Sequence, residues 1–557
     1  MSPDGESLYT AGYVHGSTYA IARFDRDSTT GALAYRGCIA DHKVSARSGS
    51  GACEVIPGAS KTDPVAPLYG VRGLTVSPDG NSVYAVGLAS LVRFDRDPTT
   101  GALAYRGCIT GDTRSGVRSC DEIPTATPGG EGSGMGSPSD VAVSPDGNAV
   151  YVTSAILTDY PDGDAAIARF DRDPDSGALA WQGCISGRTE LGPSGTGACA
   201  LIPSASPYAL DSGLNPESLS VSPDGESLHT GSSRGCDDYG CCGSWGLARF
   251  DRDPATGALT FRGCFTGDRQ SGPSGSGACA AIPSATQDGK GSGLRGYALA
   301  ASPDGKSLYV GGGSDVAQLD RDPATGALTY RGCITGNRQS GPSGSGACAA
   351  IPSATADGRH SGLSGYTLAV SPDGKTLYAG GGGEVARLAR DPDTGALKFR
   401  DCLTGDTRTG PSGSGACTTI PTAPWLARDS GLGGVTALAP SQDGASLYSA
   451  SGWGSAGSVA RFGFAPQTRI TKGRTRRHRA VFHFRTGKAS SFECKLKGKR
   501  VKPRLRHWRH CGSKAPSHRG AVRYHKLRRG RKVFRVRATD EVGNTDPTPA
   551  KRRWRVR

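Results

Sequence analysis

Twelve of the seventeen cysteines in this 557-residue chain recur as pairs: Cys38/Cys53, Cys108/Cys120, Cys184/Cys199, Cys264/Cys279, Cys333/Cys348 and Cys402/Cys417. Five of the gaps are fifteen residues and one is twelve. Two chemistries use cysteines at such spacing, metal ligation and disulfide formation. A structural zinc site needs four ligands, and no pair gathers the two further Cys or His residues that would complete it. The spacing therefore predicts six local disulfides. Each closes a loop of ~15 residues, a constraint that contributes roughly 3 kcal/mol in the chain-entropy picture. So many local pairs point to an oxidising compartment. Three more cysteines crowd "SSRGCDDYGCCGSW", where Cys236 with Cys241 or Cys242 allows one further disulfide and leaves one thiol over. Other chemistry is sparse. There is no His-Glu-x-x-His and no phosphate loop, and the one Gly-x-Ser-x-Gly string, at 231–235, is not followed by the helical pattern a nucleophile elbow needs. Only His15, His42, His229 and His360 lie in the first 466 residues, and none recurs with the repeats described next.

The elements that position the cysteines are repeats. "SPDG" begins at Ser2, Ser77, Ser144, Ser222, Ser302 and Ser371, and "SQDG" at Ser441. Around each, an apolar stretch such as "YTLAV" is followed by the tetrapeptide, a second stretch ("TLYAGG"), a third ("EVARLARD"), a "DPDTG" turn and a fourth ("ALKFRDC"). Short apolar runs bounded by Pro, Asp and Gly are strand-turn-strand grammar. Pro fixes φ at the second turn position and Gly accepts positive φ. Four antiparallel strands in each of seven units predict an all-β protein, a seven-bladed β-propeller. The cysteine-bearing segments, "CFTGDRQSGPSGSGACAAIPSATQDGKGSGLRG" and its relatives, follow the fourth strand and show no strand pattern. The first cysteine of each pair ends a strand, and the second is expected inside the glycine-rich loop. These segments are expected to cross one common face, each stapled to its own blade. The recurrent "FDRDP" carboxylates fall on the opposite face, where repetition in every unit indicates turn chemistry. The first unit begins at its second strand and the seventh ends after its third. The expectation is an N-terminally truncated form of a secreted protein, with an unpaired seam between blades seven and one.

"SPDGKSLYV" with "LDRDPATGALTYRG" resembles the lactonase-type seven-bladed propellers (6-phosphogluconolactonase-like) and, more loosely, YVTN-type surface repeats. In that family acid-base residues and arginines sit where the first strands meet the channel, commonly with a His before the turn. The matching positions here, five residues before each Ser, are Arg72, Ser139, Glu217, Tyr297 and Tyr366, with Asp140 one residue further in. None is His. The resemblance implies a polar ligand site formed by Arg72, Asp140, Glu217, Tyr297 and Tyr366, and Arg72 with Glu217 as the residues for lactone hydrolysis.

Charge divides the chain near Pro466. From Gln467 onward there are 31 Lys/Arg and 4 Asp/Glu, a balance of +27, so the whole-chain +16 leaves −11 on residues 1–466. We therefore read residues 1–465 as the propeller and 466–557 as a second domain. "SFECKLKG" and "KVFRVRATDEVGN" resemble bacterial Ig-like modules, which implies a small β-sandwich and a disulfide between Cys494 and Cys511. The histidines of "HWRHC" read as exposed loop residues rather than metal ligands. At +27 the domain attracts polyanions. An extracellular polyanion or cell-envelope polymer is favoured over nucleic acid, for which Trp508 and Tyr524 are the few aromatics open to base stacking. No apolar run approaches a membrane span, and no cofactor or metal is implied. The expected function is a secreted, non-catalytic binding or cell-envelope protein, with a lactonase-like hydrolase as the alternative.

Overall fold

The computed structural model describes all residues except 16–17, 29, 42–52, 58–66, 89, 114–119, 157–163, 194, 196, 198, 210–211, 233–245, 271, 273–276, 288, 290, 342–345, 411–416, 422, 425–429, 453–456, 464–467, 477, 499, 513–515, 541–545, 547–548 and 557. Cys236, Cys241 and Cys242 lie outside the described residues. The chain divides into two compact units, Met1–Arg26 with Ala34–Pro440 and Tyr448–Ala460, and Asp27–Leu33 with Ser441–Leu447 and Arg461–Arg557. No described helix is long and apolar enough to cross a membrane.

Seven sheets follow one another along the chain up to Gly463, in a seven-bladed propeller arrangement. Blade three shows the pattern: Pro138–Val143, Ala149–Ser154, Ala166–Arg172, Leu179–Arg188 and Ala200–Ser206, each beside the next. The first strands of blades two to seven pack side by side. Blade one opens on Ser7–His15, and blade seven comprises Val435–Pro440, Ser446–Ser451 and Ser458–Gly463.

The prediction of four strands per blade is corrected. Blades two to six have five, and the fifth comes from the segment read as strandless. In blade four "AAIPSAT" (Ala280–Thr286) runs parallel to Leu259–Asp268, with Ala280 opposite Phe265. Blade one carries the same outer strand in short form, Glu54–Val55 beside Leu33–Ala40. The second cysteines, Cys53, Cys120, Cys199, Cys279, Cys348 and Cys417, stand outside any strand, at the end of the loop. Each immediately precedes the extra outer strand of its blade. The disulfide is the physical reason. Cys264 lies within the fourth strand and Cys279 abuts the fifth, so the bond sets the two side by side. Cys38–Cys53, Cys108–Cys120 and Cys184–Cys199 do the same in blades one to three. Proline is tolerated because Pro283 sits on the outermost strand, whose free edge needs no donor.

The turn tetrapeptide is wired internally. Ser77 Oγ donates to Asp79 Oδ1, the backbone N–H of Ser82 returns a bond to Ser77 Oγ, and Gly80 takes a φ of +76°. Its Asp and the Arg of "FDR" then join neighbouring blades. Arg172 Nε donates to Tyr84 Oη and its other nitrogens to Asp79 and Ser82, while Tyr84 donates to the Gly177 carbonyl in the next "DPDSG" turn. Arg96 with Tyr9 and Asp4, Arg252 with Tyr151 and Asp146, and Arg390 with Tyr309 and Asp304 repeat this latch. At the seam between blades seven and one, Arg26 Nε donates to Tyr448 Oη at 2.8 Å. The turn reading of "FDRDP" is incomplete to that extent. Asp97 and its equivalents do cap the turn through backbone N–H groups, but the adjacent Arg is an interblade clamp.

The C-terminal residues form a separate sheet. Arg479–Gly498 pairs with Arg469–Arg476 and Ser517–Tyr524 through its first half, and with Gly530–Asp540 through its second. Alternation places Phe482, Phe484, Phe492, Leu496, Phe534 and Val536 in one core with the Cys494–Cys511 disulfide, and leaves most of the basic residues outward, while Lys532 is buried.

Candidate functional site on the stapled face

All six blade disulfides predicted from spacing are formed: Cys38–Cys53, Cys108–Cys120, Cys184–Cys199, Cys264–Cys279, Cys333–Cys348 and Cys402–Cys417, with Cα–Cα distances between 4.5 and 4.7 Å. Four of them also serve the preceding blade, which spacing alone did not reveal. A Cβ on Gly213 would stand 2.2 Å from Cys279 Sγ and 2.5 Å from Cys264 Sγ, so only glycine lets the "SGL" segment lie on the staple of the next blade. Gly134 repeats the contact on Cys184–Cys199, Gly293 on Cys333–Cys348 and Gly362 on Cys402–Cys417, whereas Gly431, next to the blade without a staple, has open space there.

A cavity of about 640 Å³ opens on this face between blades five and six. Two staples frame it. Asn337 and Ser340 belong to the loop closed by Cys333–Cys348, and Asp406, Arg408 and Thr409 to the loop closed by Cys402–Cys417. The hairpins joining the second and third strands are two residues long here, at Gly313–Ser314 and Gly382–Gly383, which leaves the space unfilled. Glu384 opens the third strand of blade six, 8% exposed. Burial, and then the charge of Asp406, push its carboxyl up to about 7. Asp406 is buried too, but Arg408 donates to both its oxygens and holds it below the usual carboxylate range. Such divergent environments for two neighbouring acids are a feature of ligand and proton-handling sites. His360 lines the cavity at a φ of +59°, a position held by Gly132 and Gly291 in two other crossings, and its Nδ1 lies 3.0 Å from Thr409 Oγ1. A side chain kept at a left-handed position costs of order 1–3 kcal/mol and calls for a reason beyond the turn itself.

The residues expected at the channel mouth are placed as follows. Tyr297 and Tyr366 stand at the starts of the first strands of blades five and six, both exposed, with ring centroids 5.1 Å apart. Tyr366 also lines the cavity. Asp140 has a structural partner. Its carboxylate accepts from Val141 and Leu219, tying the first strands of blades three and four, while burial pushes it up to about 6. Arg72 is exposed just ahead of the first strand of blade two and Glu217 half-buried just ahead of that of blade four. Neither lines the cavity, nor does Asp140. Sequence reasoning missed Asp315, His360, Glu384 and Asp406. Asp315, His360 and Glu384 depart from the repeat, whereas Asp406 repeats Asp112 and Asp268 of blades two and four and carried no such signal.

No protein-family model matches the chain, and no curated protein does. Among solved structures it is similar to a periplasmic gluconolactonase from Pseudomonas aeruginosa, at 15% identity over 72% of this chain and 83% of that one, with a TM-score of 0.41. It is also similar to the β-propeller domain of Cps50 (Swd1) from Myceliophteria thermophila, at 10% identity over 83% and 95%, TM-score 0.41. A third is hydrazine synthase from Kuenenia stuttgartiensis, at 16% identity over 84% and 94%, TM-score 0.37.

Proposed function

We propose that this chain is an exported, non-catalytic binding protein of the cell envelope, which takes a ligand on its stapled face and holds an anionic polymer through a basic, Ig-like C-terminal module. The observation that carries this reading is the framing of the one cavity described on that face by two disulfide-closed loops. Disulfides persist in oxidising compartments, and here they rigidify the residues that would meet a ligand. The basic module supports the polymer over nucleic acid. Trp508 carries Lys495 Nζ at 4.0 Å and Arg537 at 4.4 Å against its ring, and Tyr524 is buried, so neither is offered to bases.

Intact mass before and after reduction and alkylation tests export, and a panel of sugar lactones tests the absence of catalysis. Full oxidation of the seven described pairs without turnover supports the reading. Free thiols throughout would sink it. Lactone turnover lost in Arg72→Ala and Glu217→Gln would replace it with a hydrolase working at the channel mouth.

A further inference from the structure

We propose that the cavity between blades five and six takes a small organic cation, an alkylammonium or quaternary ammonium group seated between the Glu384 carboxylate and the Tyr366 ring. This deepens the binding reading above and rests on it only in treating the cavity as a ligand site.

Charge pairing inside the cavity leads to this class. Its three arginines are each matched: Arg408 by Asp406 at 2.6 Å, Arg359 by Asp357 at 3.8 Å, and Arg295 by the field of Asp315. Glu384 is the remaining acid, more than nine-tenths buried, and no Lys or Arg among the described residues pairs with it. A buried carboxylate without a counter-ion is costly. The structural acids Asp140 and Asp164 offset that cost with at least two backbone N–H donors each, whereas among the described residues Glu384 has the Gly383 N–H alone. A ligand cation supplies the missing charge.

The aromatic half of the site stands on the same hairpin. A Cβ on Gly381 would meet the Tyr366 ring at 2.7 Å, and one on Gly382 would lie 3.9 Å from Glu384 Oε2. Tyr366 thus lies over the turn that carries Glu384. It is 50% exposed and braced by Tyr297, so its ring is held while a face remains open. A carboxylate beside an open aromatic face is the pairing that recognises ammonium groups, through charge and through the ring quadrupole. Neutral polyols would leave the Glu384 charge uncompensated.

The same geometry couples binding to protons. Burial and Asp406 keep Glu384 protonated up to about pH 7, and a cation binds the ionised form, so binding expels that proton. The other charged or titratable groups facing the cavity are the three matched pairs and His360. The variant His360→Asn, whose side chain tolerates positive φ, isolates the Glu384 contribution.

The test is isothermal titration of the full, oxidised chain with butylamine and choline, against 1-butanol and glucose, at pH 6 and pH 7. Saturable binding of the cations alone is expected, roughly five-fold tighter at pH 7, where a carboxyl titrating near 7 is about half ionised against about a tenth at pH 6. In Glu384→Gln, affinity should fall at least about ten-fold and lose its pH dependence, while Tyr366→Ala should weaken binding roughly three-fold or more. The pH dependence should survive in His360→Asn. Intact mass and thermal melting show that each variant is folded and oxidised. Equal affinity in Glu384→Gln, glucose binding in place of the amines, or no cation binding to the oxidised protein would overturn the proposal. The last result with all disulfides formed would leave the export reading standing, so the two fail separately.

Discussion

The junction between blades three and four and the junction between blades four and five share one arrangement and differ at two latch side chains, Ala149 and Tyr151 in the first against Ser227 and His229 in the second. In the first, Tyr151 Oη accepts from Arg252 and donates to Gly257. In the second, that position is His229, fully buried, with no hydrogen-bond partner of good geometry for either ring nitrogen among the described residues. Arg321 turns instead to Asp224, with both terminal nitrogens on its carboxylate. The difference teaches that the latch is modular. Its salt bridge survives loss of the tyrosine, at the cost of an unsatisfied imidazole worth about 1–3 kcal/mol. The turn face and the stapled face stand in the same relation on a larger scale. Features repeated in blade after blade, the latches and staples, build the ring. Features that occur once, Glu384 and His360, gather at the cavity.

The largest break in this comparison is Arg172→Ala. The side chain is 1% exposed and serves Tyr84, Asp79 and Ser82, so its loss leaves three polar partners unmatched. Urea unfolding should register about 3 kcal/mol of lost stability. Converting Cys264 and Cys279 to Ala removes a staple and a support for Gly213, for a similar loss of about 3 kcal/mol. Gly213→Ala should then destabilise clearly more than Gly431→Ala. Both positions have positive φ, but only the first places a Cβ against sulfur.

His229→Tyr sharpens the comparison from the other side. Burial first, then Arg321 and Arg249, push His229 down to about 3. A base with a depressed folded pKa binds fewer protons than in the unfolded chain, so its stability contribution is present above about pH 6.5 and is lost as pH falls towards 3. The wild type should therefore lose about 2 kcal/mol between about pH 6.5 and 5 from this residue alone. The tyrosine variant should remove that slope and gain about 1 kcal/mol at neutral pH. A slope unchanged in urea titrations across this range would refute the assignment. Glu384→Gln carries the opposite sign. A raised carboxyl pKa means stability lost as pH rises from the ordinary carboxylate range through about 7. The variant should hold about 2 kcal/mol more than wild type at about pH 8, relative to about pH 5. The smallest effect concerns the basic module. Its retention on an anionic polymer should weaken steadily as salt rises from about 0.05 to ~0.5 M, because screening shortens to a few Å.

Local chemistry was legible because it repeats. "SPDG" announced its Ser–Asp turn, and the fifteen-residue cysteine spacing announced the staples. The fifth strand was not legible, because Ala280–Thr286 is a strand only through pairing that Cys264–Cys279 imposes, not through its own alternation. That Cys53, Cys120 and Cys199 each open onto such a strand was not legible for the same reason, although their partners were. Nor was the latch legible, since Asp79 and Arg172 stand 93 residues apart and meet only when blade two docks on blade three. Of the residues expected at the channel mouth, Tyr297 and Tyr366 lie together, ring centroids 5.1 Å apart. Nothing in the sequence hints that Asp140 serves the backbone, or that Glu384 is the cavity acid without a counter-ion among the described residues. Sequence by itself determined the repeat, its turns and its covalent closures, because these depend on residues a few positions apart. The tertiary structure alone decided that Glu384 is the cavity carboxylate buried without a counter-charge among the described residues, because burial and pairing depend on neighbours brought in by other blades.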